Sequence, residues 1–461
     1  MNLRNPTLTR RIVSLVLATL LAFAWPRPAD AAGQAPIFIR DAEIEAIIHE
    51  YTAPLFTAAG LDPAAVRVYI VKDDTINAFV AGGMNIFVFS GLLLRAERPA
   101  QLIGVIAHET GHIRGGHLAR REEALRNATI EAIVACILGV GAAAGSGQGG
   151  AAAACQLGQN IGGRYLLAFS RTQEASADQA GLSFLDSTHQ SARGMLEFFK
   201  ILGKQEALLS GQQDPYLRTH PLTQSRIDAV TEHVAHSPYS DVPEQPEFIA
   251  GFKRVQAKLR GYTEPLAQVL QRYPESDNSL EARYARSVAF AQPGQSNLKK
   301  AIALADSLIA EFPHDPYFQE NKAEILLKGA TQAKAALPYY ETAATALPDS
   351  PMILMELAMA QIAIADPPLV KKAISELEKV VRIEPKNSSA WHQLCIAYGT
   401  DGQLAMASLA CAQEAANGSS KRARKQAKEQ AQRAMQGLPE GSPAWLRAQD
   451  IYNEADRDEE E

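Results

Sequence analysis

One five-residue string restricts this chain more than any other: His108-Glu109-Thr110-Gly111-His112. On an α-helix two histidines four apart share a face one turn apart, so both imidazoles reach one point and the intervening glutamate reaches the same volume. Residues from Pro99 onward therefore read as a helix, with proline suited to its first turn. The string also lies in the densest histidine cluster of the chain, which includes His117. Any fold adopted here must hold that helix with its histidine face turned inward.

The segments before it have a different period. Ile44, Ile47, Ile48, Tyr51 and Leu55 recur at helical spacing over residues 41–59, with Gly60 placed to end the helix,. Three short β-rich runs follow, Val66 to Val71, Asn77 to Val80 and Ile86 to Ser90, the last after a Gly82-Gly83 turn,. An α+β region with a small sheet thus precedes a helical one.

Paired histidines with a neighbouring glutamate are the arrangement that binds a catalytic Zn²⁺ and a base beside its water, and a hydrolytic zinc site needs a third protein ligand and one open position. Cysteine supplies none of the expected ligands, since the four cysteines in 461 residues form no metal-binding spacing,. A histidine ten residues after His108 would complete one known pattern, but that position is Leu118. His117 lies about 140° from His112 around a continuous helix, so it reads as a surface or supporting histidine facing elsewhere. Glu174 and Asp178, four apart in SRTQEASAD, offer one carboxylate for the metal and one for the free N–H of a metal-bound histidine,. Thr219-His220-Pro221-Leu222 with Arg226 adds groups suited to steadying a developing oxyanion,.

HETGH with the downstream E-x-x-x-D pair, preceded by Asn77-Ala78-Phe79 and the Gly82-Gly83 turn and followed by THP…R, resembles the M48 family of zinc metallopeptidases over roughly residues 40–240. The resemblance implies a zincin-like domain with one Zn²⁺ per chain, held by His108, His112 and Glu174. It makes Glu109 the general base and Asp178 the group that orients a ligand. His220 is then either a regulatory fourth ligand that plugs the site or a transition-state group, and Arg226 a further catalytic group. Asn77, Ala78, Phe79 and Val80 would form the edge strand on which an extended substrate adds. VAGG after that triplet departs from the family's commoner proline-containing form.

The termini and the second half concern address and partners. Arg4, Arg10 and Arg11, an apolar run from Ile12 to Trp25, and Ala29-Asp30-Ala31 form a secretory leader pattern with cleavage after Ala31,. Removing its four arginines and one aspartate takes the formal charge from −6 to −9, which excludes a globally basic nucleic-acid binder. Residues 128–168, rich in Ala, Gly, Ile and Leu, read as a buried hairpin or one in peripheral contact with a membrane, the alternatives being insertion and disorder.

After the proline-rich VPEQPEF stretch, Pro274, Pro313, Pro348 and Pro385 recur at intervals of 39, 35 and 37 residues. Trp391, Leu394, Tyr398 and Ala407 fit a degenerate tetratricopeptide pattern, an all-α solenoid, with an ordinary helical bundle as the alternative. Cys395 and Cys411 fall on the two helices of one such repeat, as a disulfide or as two buried thiols. The expected division is a leader over 1–31, a metalloprotease domain over 32–245 and a repeat domain over 246–461 with an acidic tail.

For the whole chain the resemblance implies a periplasmic zinc endopeptidase. Its role would be quality control and chaperone-like assistance of outer-membrane protein assembly. Its partners would be unfolded or misassembled proteins and, through the repeats, the barrel-assembly machinery. Two other readings stand beside it: a chaperone or scaffold with a latent zinc site, and a membrane-embedded peptidase of the prenyl-protein type.

Overall fold

The computed structural model describes residues 37–117, 171–208, 216, 220–294, 297–418 and 420–460. The leader and the 128–168 segment, with Cys136 and Cys155, lie outside those residues. No helix among the described residues is long and apolar enough to cross a membrane.

Strand β1 (Ile37–Ile39) precedes helix α1 (Ala42–Ala58), whose first N–H groups are capped by Asp41,. Then come β2 (Arg67–Lys72), β3 (Ala78–Ala81) and β4 (Asn85–Phe89). Sheet order is β1-β2-β4-β3, with β2 and β4 parallel and the two outer pairs antiparallel. The β3–β4 hairpin turns through Gly82 and Gly83, both at positive φ (63° and 87°), where glycine alone carries no steric cost. A short helix α2 (Ser90–Arg95) leads into α3 (Pro99–Arg114), the helix that carries the HETGH string. Neither β1 nor α2 has a clear sequence signal, being three and six residues long.

Helices α4 (Arg171–Ser187), α5 (Arg193–Leu208) and α6 (Gln224–His236) complete this part, and α3 packs against both α4 and α5. Glycines set how close these helices come. A Cβ at Gly111 would meet the Ala177 carbonyl oxygen at 2.5 Å, and one at Gly194 the Ala100 carbonyl oxygen at 2.2 Å. The sheet, α1 and α3 to α6 share one apolar core, from Ile44 and Tyr51 through Val88 and Ile106 to Phe199 and Val230.

Beyond it the chain is helical. The proline-rich stretch is a short loop, and Pro246 begins α7 (Pro246–Thr263). Phe252, Val255 and Leu259 of α7 enter the same core as α1 and α3. Next are α8 (Leu266–Arg272), α9 (Leu280–Ala291), α10 (Leu298–Glu311), α11 (Pro316–Glu324) with a π turn at Ile325–Gly329, and α12 (Ala333–Ala346). The last six are α13 (Pro351–Ile364), α14 (Pro367–Ile383), α15 (Ser388–Thr400), α16 (Leu404–Ala416), α17 (Lys421–Gly437) and α18 (Pro443–Glu460).

Successive helices pack on one another, and Pro274, Pro313, Pro348 and Pro385 follow α8, α10, α12 and α14. A disulfide joins Cys395 of α15 to Cys411 of α16.

These helices grip the start of the first part. Lys258, 1% exposed, places its ammonium 2.7 Å from Asp41, 3.4 Å from Glu43 and 3.5 Å from Glu320. Arg254 links Glu43 to Asp315, Arg40 reaches Glu384, and Ala42 packs with Ala343 and Ile353.

Candidate metal centre

Helix α3 delivers His108 and His112 one turn apart, and α4 crosses it so that Glu174 arrives opposite. His220, in the loop before α6, closes the group. The four residues are fully buried, and one ligand atom from each lies within 4.8 Å of all the others. His108 Nε2 is 3.1 Å from His112 Nε2 and 3.3 Å from His220 Nδ1. Glu174 Oε1 is 3.3 Å from His112 Nε2 and 3.2 Å from His220 Nδ1.

A four-coordinate metal with bonds of about 2.0–2.1 Å would space its ligands about 3.3 Å apart. Four of the six donor pairs already stand near that spacing, at 3.1–3.3 Å. Burial drives the His112 pKa well below the ordinary histidine value, which keeps its ring neutral and its lone pair free for a metal,. Burial pushes the Glu174 carboxyl up, but the surrounding histidines, His220 and His112 first, outweigh it and hold it ionised. The residues therefore fit a metal ion.

Each of these side chains is held from behind. Asp178 Oδ1 accepts from His108 Nδ1 at 2.8 Å, which leaves Nε2 for the cluster,. Arg226 in turn clamps Asp178 through Nε at 2.6 Å and Nη2 at 2.8 Å, and places Nη1 2.7 Å from Glu174 Oε2 and 2.9 Å from the Pro221 carbonyl. Burial disfavours the Asp178 carboxylate, yet Arg226 and His108 together depress its pKa. Arg226, expected as a further catalytic group, thus turns its guanidinium to Asp178, Glu174 and the Pro221 carbonyl.

Glu109 is the exception. It is fully buried, and neither carboxylate oxygen has a hydrogen-bond partner among the described residues; its nearest cation is His220, with Nε2 3.5 Å from Oε1. Burial raises its pKa above the ordinary carboxylate value. A carboxylate so placed is ready to accept a proton from something that enters the site.

Asn77 to Val80 are not among the clustered ligands; they lie on and just before β3, which ends the sheet among the described residues and packs against α3. Three further side chains stand behind these residues. Tyr216 stacks on the His220 ring at 4.7 Å, and Phe199 lies 5.1 Å from the Arg226 guanidinium; neither carries a motif. The third is His117, whose Nδ1 lies 3.0 Å from His112 Nδ1. Its expected position assumed a continuous helix, and α3 ends at Arg114.

Comparison with known proteins agrees with this geometry. Residues 39–234 match the family described as Peptidase family M48. The beta-barrel assembly-enhancing protease of Yersinia pestis is 26% identical over 72% of this chain and 68% of that protein. Its namesake from Escherichia coli K12 is 30% identical over 42% of this chain and 39% of that protein. The mitochondrial metalloendopeptidase OMA1 of Schizosaccharomyces pombe is 29% identical over 39% of this chain and 49% of that protein. The aligned stretches thus span between 39% and 68% of these relatives' own lengths.

Proposed function

Taking as premise that the chain carries a family M48 metalloendopeptidase domain over residues 39–234, we propose that it is a periplasmic zinc endopeptidase acting on unfolded or misassembled proteins. The observation that carries this reading is the buried cluster of His108, His112, Glu174 and His220 beside a Glu109 whose carboxylate accepts no hydrogen bond among the described residues. His108 Nε2, His112 Nε2 and Glu174 would hold one zinc ion, with His220 Nδ1 as the fourth donor that closes the resting site.

When bound, zinc supplies a Lewis acid beside the scissile carbonyl and makes a nearby water more acidic. Glu109, with its raised pKa, takes the proton of the attacking water on a carboxylate oxygen and passes it to the amide nitrogen as the C–N bond breaks,. Asp178 keeps the His108 proton on Nδ1, and Arg226 holds Asp178 ionised and clamps Glu174 in place. Asn77 to Val80 would present an extended substrate as an added strand, which the edge position of β3 supports,.

The second half reads as a tetratricopeptide-type solenoid. Helix pairs closed by prolines support it, as do Trp391, Leu394 and Tyr398 buried together on α15,. Because two of the relatives are named for enhancing beta-barrel assembly, the proposed setting is outer-membrane protein quality control, with the repeats engaging the assembly machinery. The leader pattern supports export, and the domains would run 1–31, 32–245 and 246–461.

Casein hydrolysis by the zinc-loaded chain tests the catalytic assignment. Glu109→Gln is expected to retain zinc and lose hydrolysis; full activity in that variant would sink the mechanism. His220→Ala is expected to raise proteolysis if His220 closes the site, and to lower it if His220 instead serves the transition state.

A further inference from the structure

Helix α3 stops in a specific way. Gly115 caps it, and Gly116, at φ +59°, enters the left-handed region. The Gly116 N–H donates to the Ile113 carbonyl at 3.1 Å, and the His117 N–H reaches back to the His112 carbonyl at 3.2 Å. This pair of bonds is the Schellman motif, which folds the second residue past the cap onto the third-from-last helical residue, ordinarily through an apolar contact. Those two places hold His117 and His112.

Here the contact is polar. The two Nδ1 atoms are 3.0 Å apart and the rings meet edge to face, 5.1 Å between centroids. His117 is 5% exposed, and its ring lies so close over Gly115 that a Cβ there would meet Nε2 at 2.5 Å. Both glycines are therefore part of the seat.

A hydrogen bond between two imidazole nitrogens uses one proton. His112 turns Nε2 into the cluster, so a metal on that nitrogen requires the proton on Nδ1, and the bond then runs from His112 Nδ1–H to His117 Nδ1,. We propose that His117 is a positioning residue that locks His112 in its metal-binding tautomer. It serves the second histidine with a neutral acceptor as Asp178 serves the first with a charged one. The two imidazole ligands are thus unequally supported, and the motif that ends the helix doubles as the outer support of the site. This inference rests on the zinc reading above.

Zinc dissociation constants of the full chain, measured by competition with a chromophoric chelator alongside circular dichroism, test it. His117→Leu is expected to bind zinc about 10- to 100-fold more weakly with helix content unchanged. His117→Gln, whose side-chain carbonyl accepts the same proton, is expected to return to within about threefold of wild type. Wild-type affinity in the leucine variant would overturn the proposal, as would equal losses in both variants. If His117→Leu does not fold, His117→Met, apolar and flexible, takes its place under the same two criteria. A wild-type chain that binds no zinc would overturn the metal reading itself, whereas tight wild-type binding with an unaffected leucine variant refutes the role of His117 alone.

Discussion

Replacing Gly111 with alanine adds one methyl group between the helix of the two histidines and the helix of Glu174 and Asp178. That methyl would sit 2.5 Å from the Ala177 carbonyl oxygen, 2.9 Å from its Cα and 3.0 Å from its carbonyl carbon. Ordinary contact begins near 3.4 Å, so α4 must retreat by about 0.9 Å, and backbone cannot yield as a side-chain tip can. Overpacking of this kind costs about 1–3 kcal/mol, against a gain of about 1 kcal/mol in helix propensity, leaving a net loss of about 1 kcal/mol.

Function should suffer more than stability. Ala177 lies between Glu174 and Asp178, so the retreat carries both carboxylates away from the histidines, and a displacement near 1 Å at such a site is worth about 100-fold in rate. Gly203 on α5 is the matched control, because a Cβ there meets nothing within 4 Å. Gly203→Ala is expected to stabilise by about 0.4–1 kcal/mol with activity intact. Guanidinium unfolding and casein hydrolysis on both variants give the comparison. Equal stability and equal activity in the pair would refute the claim that close helix approach positions the carboxylates.

Two further outcomes are expected. Lys258→Met removes the cation shared by Asp41, Glu43 and Glu320; although burial disfavours the ammonium, Asp41 and Glu320 hold its pKa well above the ordinary lysine value. The buried carboxylates left behind should cost about 3–5 kcal/mol, read from the unfolding midpoint, and an unchanged midpoint would refute it. Bonding to Glu414 raises the His392 pKa above its ordinary 6.5 despite burial. Its stabilisation is then complete below pH 6.5 and lost as pH rises through the raised value, so Glu414→Gln should lower the melting temperature at pH 5.5 and leave it unchanged at high pH,. A deficit that is the same at both ends would count against this pairing.

The helix bearing HETGH was legible because its chemistry requires an i, i+4 face, and the strands because their β-branched and aromatic runs are bounded by turns. Glu174 lies 66 residues beyond His108, so only the chemical need for a third ligand singles it out; no local period does. His117 read as a surface or supporting histidine, but a sound rule applied past its range turned it away from His112. Counting 100° per residue places it away from His112, but the count fails where Gly116 reverses the chain, and a glycine in that place is itself a readable stop signal. For Arg226 spacing shows which residues are near, not that its guanidinium turns to Asp178 and Glu174. Phe252, Val255 and Leu259 fit the apolar stripe of any helix, so nothing in their period says which core they enter.

That last point bears on synthesis. The apolar interior around Ile44, Tyr51 and Val88 closes only with Phe252, Val255 and Leu259, and the buried acids at 41 and 43 wait for Lys258 and Arg254. A nascent chain that has just completed the His220 loop and the first turn of α6 with Arg226 therefore has all four clustered residues and the groups that hold them, but an unfinished interior behind them. The order of residues along the chain places the last structural support after the last chemical group.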